Sequence, residues 1–243
     1  KEINVTTTRR MTLTKEEIES RTVKLIAGNK DIVNQAKLKA DNVGAIKGSV
    51  RVMARTSEDV IVSIQEISGN NFTPVAKTQV ADGADNVKTK VKGSSAEFPM
   101  MDQVNITFTP HVLPVLKGSV IDFPNSDTVR HNVFSPEPIP GTAEKINLGT
   151  YDIGTIKTVN LPTEGELGLL CNVHAEMSGY VVAIPNPYFG LTDRKGEFTI
   201  ENVPAGTYKL TTWHERFKPV EAEVTVVAGG TADVKLPTMK QKK

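Results

Sequence analysis

Apolar and polar residues alternate with a period of two through most of this chain, the pattern of half-buried β-strands. Residues 46–54 and 60–67 are strand-like and are split by the polar Arg55-Thr-Ser-Glu-Asp59. A polar interval over 69–97 carries Gly69-Asn-Asn, Asp82-Gly83 and Gly93-Ser-Ser, with one weak strand predicted at 87–91. Residues 103–109 and 115–123 each alternate cleanly, the second stopping at Pro124-Asn125. Further strands are predicted at 129–134, 154–161, 166–171 and 179–184. Short strands punctuated by Gly, Pro and Asn predict an antiparallel sandwich.

The two ends read differently. The stretch 2–9 is Thr-rich and alternating, like a short polar strand, and Thr14-Lys-Glu-Glu17 has the form of a capping box that opens a helix running to about residue 20 or 28. A second helical pattern covers 31–40, with Ile32, Val33 and Ala36 on one side. These pieces are too short and polar to form a core alone. They predict an N-terminal arm or linker, 1–43: either a connecting leader, or an arm that docks on a partner subunit by adding a strand to a sheet edge. Asn186-Pro187 reads as a joint. Beyond it, turn signals at Asp193-Arg-Lys-Gly196 and Val203-Pro-Ala-Gly206 separate strands predicted at 197–200, 207–213, 220–226 and 231–236. The expected organisation is therefore an arm at 1–43, a β domain at 44–187 and a small β unit at 188–243.

Charge supports that division. Residues 1–44 carry 9 Lys/Arg against 6 Asp/Glu, residues 45–187 carry 11 against 15, and residues 188–243 carry 9 against 7. The net charge of +1 gives no footprint for nucleic acid. No apolar run approaches a membrane span. Lys1-Glu-Ile-Asn-Val lacks the apolar region of a signal peptide. The single cysteine excludes an internal disulfide, which removes one rival use for the thiol.

That cysteine lies in Cys171-Asn-Val-His174-Ala-Glu-Met177, and His131 lies forty residues upstream in Thr128-Val-Arg-His131-Asn-Val-Phe. One thiolate, two imidazoles and one thioether form the ligand set of a blue-copper electron-transfer site. Singly, each has a plainer use: Cys171 and Met177 as core, His174 on a turn, His131 as a packed histidine. Their joint identity, order and spacing in an all-β chain favour ligation.

His131…Cys171-x2-His174-x2-Met177, with Phe123-Pro-Asn-Ser-Asp127 before the first ligand, resembles the cupredoxin family over about residues 44–185. The tight Cys-to-Met spacing is most similar to its amicyanin and plastocyanin-like members. Phe108-Thr-Pro-His-Val and His131-Asn-Val-Phe-Ser also resemble a periplasmic, methylamine-utilisation-type branch. The resemblance implies an all-β fold with a Greek-key cupredoxin β-sandwich, one type 1 copper and a periplasmic or otherwise extracytoplasmic address. It makes His131, Cys171 and His174 the strong ligands and Met177 the axial one. It gives Asn132 the role of a loop-bracing residue that hydrogen-bonds towards the Cys171 loop. From Tyr188 onward, Asp193-Arg-Lys-Gly-Glu-Phe-Thr-Ile and Val203-Pro-Ala-Gly-Thr-Tyr-Lys-Leu resemble carboxypeptidase-regulatory-like β-sandwich modules, which implies no catalysis.

His111 and His214 read as packed or surface histidines rather than ligands. Four histidines are too few for the clusters of multicopper oxidases, and no phosphate loop or nucleophile elbow is present. The chain thus reads as a single-electron carrier, not an enzyme. Its redox partner (a cytochrome, oxidase or dehydrogenase) would dock near His174, where Pro136-Glu-Pro-Ile-Pro140, Ala175 and Met177 rim an apolar patch. Glu137, Glu144 and Glu176 would favour a basic partner face. The alternative is an assembly subunit in which the copper domain is one module and the arm mediates self-association.

Overall fold

The computed structural model describes residues 5–7, 37, 41–67, 72, 77–81, 87–91 and 99–242. Among them the chain forms strands and no helix, as the all-β reading expects. In order these are β1 (Val5–Thr7), β2 (Val43–Ser49), β3 (Ile61–Ile64), β4 (Lys77–Ala81), β5 (Val87–Val91), β6 (Asp102–Val104), β7 (Thr107–Thr109), β8 (Val112–Leu116), β9 (Val120–Pro124) and β10 (His131–Pro138). Then come β11 (Lys145–Tyr151), β12 (Thr155–Asn160), β13 (Gly165–Leu170), β14 (Ser178–Ile184), β15 (Phe189–Leu191), β16 (Glu197–Pro204), β17 (Gly206–Trp213), β18 (Glu221–Val226) and β19 (Thr231–Lys235). The helices expected over 14–28 and 31–40 lie outside the described residues, apart from Lys37, which sits in a bend.

The described residues fall into two units, 5–7 with 77–184, and 37–72 with 185–242. In the first, a five-stranded sheet of order β11-β10-β13-β14-β8 and a three-stranded sheet of order β1-β12-β9 share one core. Ile121, Phe123 and Val159 come from the smaller sheet, and Val133, Ile146, Leu148, Leu167, Leu169 and Val181 from the larger. Alternation explains this packing: each strand turns every second residue inward, so two sheets bury one apolar layer between them.

Two expected strands prove to be two elements each. Residues 115–123 break at Lys117-Gly118, where Gly118 has φ 82° and Ser119 N–H donates to the Leu116 carbonyl at 3.0 Å. The chain crosses there from the larger sheet to the smaller, since β8 runs parallel to β14 while β9 pairs with β12. Residues 103–109 fold back as the hairpin β6–β7, with Val104 opposite Thr107. Its turn residues Asn105 and Ile106 have φ 52° and 59°. Asn tolerates the left-handed region and commonly marks such turns, but a β-branched Ile does not, so the sequence disguised the turn as continued alternation. The strand expected in the arm is present as β1, and it extends the edge of this chain's own sheet, Val5 opposite Lys157.

The boundary expected at residue 44 is displaced. The strands at 43–49 and 61–64 belong with the C-terminal strands, not with the middle of the chain. β2 lies between β16 and β19, and β3 between β15 and β17, so each is central to one sheet of the second unit. Ile46, Val60, Val62 and Ile64 are fully buried there, as are Ile200 and Leu210. A Cβ on Gly48 would collide with the Val234 carbonyl, which shows how closely β2 is flanked. Periodicity reveals that a strand exists but not which strand it pairs with.

Trp213, the sole tryptophan, lies on β17 opposite Ile61, so its fluorescence follows the second unit. Ile46→Ala is expected to destabilise the Trp213 transition in urea by about 2–5 kcal/mol, the usual loss for emptying a buried isoleucine site. A Trp213 midpoint unmoved by this change would contradict the placement of β2.

Candidate metal centre

The candidate ligands converge because two neighbouring strands carry them. β10 lies beside β13, with Phe134 opposite Leu170, and His131 opens β10 while Cys171 follows the last residue of β13. β13 and β14 form an antiparallel pair in which Leu170 faces Ser178, so 171–177 is the loop between them. Cys171 N–H donates to the Met177 carbonyl at 3.2 Å, and Met177 N–H to the His174 carbonyl at 3.0 Å. His174 is thereby folded back over the thiol. His131 Nδ1 and His174 Nδ1 lie 3.1 Å apart, and Cys171 Sγ lies 3.9 Å from His174 Nδ1. One donor atom from each of His131, Cys171 and His174 falls within 4.8 Å of the others.

Burial is graded across the group. His131, Cys171 and Met177 are buried and His174 is half-buried. Met177 closes the loop by its backbone and packs in the core of the first unit. A soft thiolate with two imidazoles, shielded from water and preformed by strand pairing, fits a soft or borderline metal ion such as copper or zinc.

Hydrogen bonds fix the protonation of His131. Asp127 Oδ2 accepts from His131 Nε2–H at 3.0 Å and from Ile106 N–H at 2.7 Å, and its Oδ1 accepts from Thr128 N–H at 2.7 Å. Burial pushes the Asp127 carboxyl up, but these hydrogen bonds outweigh it and hold the group below the usual carboxylate range. Burial also pushes the His131 imidazole down, against the pull of Asp127. At neutral pH the contact is therefore a neutral imidazole donating to a carboxylate, not an ion pair. Because Nε2 donates, Nδ1 keeps its lone pair, and it is Nδ1 that faces His174.

The segment bearing Asp127 is itself braced. Asn125 Nδ2 donates to the carbonyls of Val129 and Tyr151, both at 3.0 Å, and its Oδ1 accepts from Asp127 N–H at 3.0 Å. The buried Asp102 accepts from Ser126 Oγ at 2.7 Å and from Gln103 N–H at 2.8 Å. Gln103 Nε2 donates to the Tyr151 hydroxyl, which donates to the Phe123 carbonyl at 3.0 Å, and burial pushes the Tyr151 phenol far up.

Asn132 hydrogen-bonds towards the Cys171 loop through its backbone. Its backbone N–H, not its side chain, reaches Cys171 Sγ, at 3.4 Å. Its side-chain amide donates to Asn147 Oδ1 at 3.0 Å across the β10–β11 pair, and its Oδ1 has no protein partner. The register shift between Asn132 and Phe134 brings Asn147 within reach, and Asn147 Oδ1 also holds Gly149 N–H, at φ 65°.

The other histidines stand outside the group. His111 Nδ1 donates to the Ser178 carbonyl at 3.1 Å. His214, in the second unit, accepts at Nδ1 from Arg216 N–H at 3.0 Å. The expected apolar rim is altered: Met177 is buried, Ile139 packs against the core, and Val173, Ala175 and Val129 are exposed. Glu137, Glu144 and Glu176 are exposed as expected. Asp127 and Asn147 were not singled out from sequence. The signals for Asp127 were its place four residues before His131 and its position at the end of the Phe123-Pro-Asn-Ser-Asp127 stretch.

The model of the carboxypeptidase regulatory-like domain matches residues 175–239. No curated protein matches. Among solved structures, an oxidised amicyanin mutant is 18% identical, with TM-score 0.32, over 35% of this chain and 79% of its own. A reduced amicyanin mutant is 18% identical, with TM-score 0.33, over 50% of this chain and 97% of its own. The copper-containing nitrite reductase of Thermus scotoductus SA-01 is 20% identical, with TM-score 0.33, over 44% of this chain and 25% of its own.

Acid should weaken the metal-free protein in two steps. His131 is held below its ordinary 6.5, so below that pH the unfolded chain takes up a proton that the folded chain refuses, and stability falls. Asp127 is held below its ordinary 3.8, so the stability it contributes is complete above that pH and is lost as pH falls through the folded value. Urea midpoints measured from pH 8 to pH 3 should show the first decline from about pH 6.5 in the native sequence and its absence in His131→Gln.

Proposed function

We propose that this chain is a type 1 copper protein that carries single electrons between redox partners outside the cytoplasm. One copper would be held by His131, Cys171 and His174, with Met177 as a weaker fourth ligand. The observation that carries this reading is the convergence of one thiol and two imidazole nitrogens from three sequence positions within 4.8 Å. Copper held there supplies a reversible one-electron couple. The lone thiol and the buried methionine on the same loop favour copper over zinc, whose closed structural sites take more thiolates or imidazoles.

The protein's own residues define the rest of the task. Strand pairing and the hydrogen bonds of the 171–177 loop preset the donors, so little rearrangement is needed between oxidation states. Buried His131 and Cys171 exclude water, while the half-buried His174 offers an edge towards solvent. Val173 and Ala175 flank that edge with exposed apolar surface, and Glu176 adds negative charge beside it. This combination suits brief docking of a basic-faced cytochrome, oxidase or dehydrogenase. The extracytoplasmic address rests on the cupredoxin resemblance. A role as one module of a larger assembly is the second reading, favoured by a second β unit that contributes nothing to the donor group.

Copper-loaded, oxidised protein should show an intense visible thiolate-to-Cu(II) band, and Cys171→Ala should abolish it. A colourless native protein that takes up zinc instead would overturn the proposal. Val173→Asp adds a charge to an already acidic rim. It should slow electron self-exchange between two copies, read from NMR line broadening of mixed oxidation states, by about tenfold, with the visible spectrum unchanged.

A further inference from the structure

One carboxylate oxygen beside the donor group does two jobs. Asp127 Oδ2 takes the Nε2–H of His131 and the N–H of Ile106, while Oδ1 takes Thr128 N–H. Ile106 is the tip of the β6–β7 hairpin, an exposed β-branched residue at φ 59° beside Asn105 at φ 52°. Such a conformation is costly for isoleucine and persists only where the surroundings impose it. The Ile106 N–H bond to Asp127 is one such restraint, and the bond of Thr107 Oγ1 to the Val104 carbonyl at 2.7 Å is another. The hairpin thus aims a backbone donor at the carboxylate, and the carboxylate in turn orients the imidazole. Asn125 and Asp102 fix the segment from the other side. His131 is fully buried, so no water competes for its Nε2–H.

We propose that Asp127 is a positioning residue of the metal centre: held in place by the strained Asn105-Ile106 turn, it locks His131 as the Nε2–H tautomer and sets a negative charge behind the imidazole. This rests on the metal reading proposed above. A carboxylate that accepts from the far nitrogen of a ligating imidazole makes the near nitrogen more basic and fixes the ring's orientation. A more basic imidazole, with an anion behind it, favours Cu(II) over Cu(I) and lowers the potential. The turn is therefore part of the centre's wall, although it lies 25 or more residues from every ligand in sequence.

Three variants test this. Asp127→Asn removes the charge but keeps an acceptor. It should retain the visible thiolate band and lower the ratio of Cu(II) to Cu(I) affinity by about tenfold, a rise in potential of about 59 mV for one electron. Asp127→Glu restores the charge and should return the potential towards the native value. Asp127→Ala removes the acceptor. In the metal-free protein, nitrogen NMR of His131 should then lose the Nε2–H preference seen in the native sequence, and the Ile106 amide should lose its protection from hydrogen exchange. A native potential in Asp127→Asn with the band intact, or an unchanged His131 tautomer in metal-free Asp127→Ala, would overturn the proposal. Absence of the band from the native protein would instead sink the copper reading, and the metal-free tautomer measurement would still decide the role of Asp127.

Discussion

The pairing of β10 with β13 is the constraint on which the centre depends. It sets Phe134 against Leu170 and so brings together an imidazole and a thiol that are forty residues apart in sequence. Everything else about the donor group is local to one loop. Cys171, His174 and Met177 are brought round by two backbone hydrogen bonds within the β13–β14 connection. If β10 slipped by one residue, its side chains would exchange faces and His131 would leave the group. The core guards against that slip, because Val133, next but one to His131, is itself fully buried.

A sandwich interior would not ordinarily tolerate so many polar side chains. Asp102, Gln103, Asn125, Ser126, Asp127, His131 and Asn132 are all buried at one end of the first unit. They are tolerated because nearly all of their polar atoms bond one another or the backbone, Gln103 Oε1 and Asn132 Oδ1 being the exceptions. Partial satisfaction would be worse than an apolar core, so such a network enforces a single arrangement. The redox centre proposed above would benefit from that rigidity, since donors that cannot move need not be reorganised when charge changes.

What was legible in the sequence follows the same physics. Cys171, His174 and Met177 could be read because they are neighbours on one loop, and His131 because few histidines compete with it. The all-β class was legible from alternation. Asp127 was not, because its role depends on a hairpin whose turn, Asn105-Ile106, continues the alternation of its flanks and puts isoleucine where glycine is usual. The side-chain partner of Asn132 was not legible either, because a register shift in β10–β11, invisible in a linear pattern, gives it Asn147, while the backbone N–H is what reaches Cys171. The boundary near residue 44 failed for a related reason. Alternation found the strands at 43–49 and 61–64, but their partners lie about 125 or more residues onward, at 189–191, 197–204, 206–213 and 231–235.

That last mismatch bears on how the two units are built. The carboxypeptidase regulatory-like match spans 175–239 and does not include β2 or β3, yet those two strands are central to the sheets in which most of the matched strands lie. Without β2, strands β16 and β19 would have no common neighbour, and without β3, β15 would be separated from β17. The second unit is therefore discontinuous: the chain leaves it after Phe72, builds the donor-bearing sandwich, and returns at Pro185. The first unit is discontinuous too, since β1 precedes β2 in the chain, and every connection between the units joins the same two bodies, so folding of either unit shortens the loop that the other must close and couples the two stabilities through chain entropy.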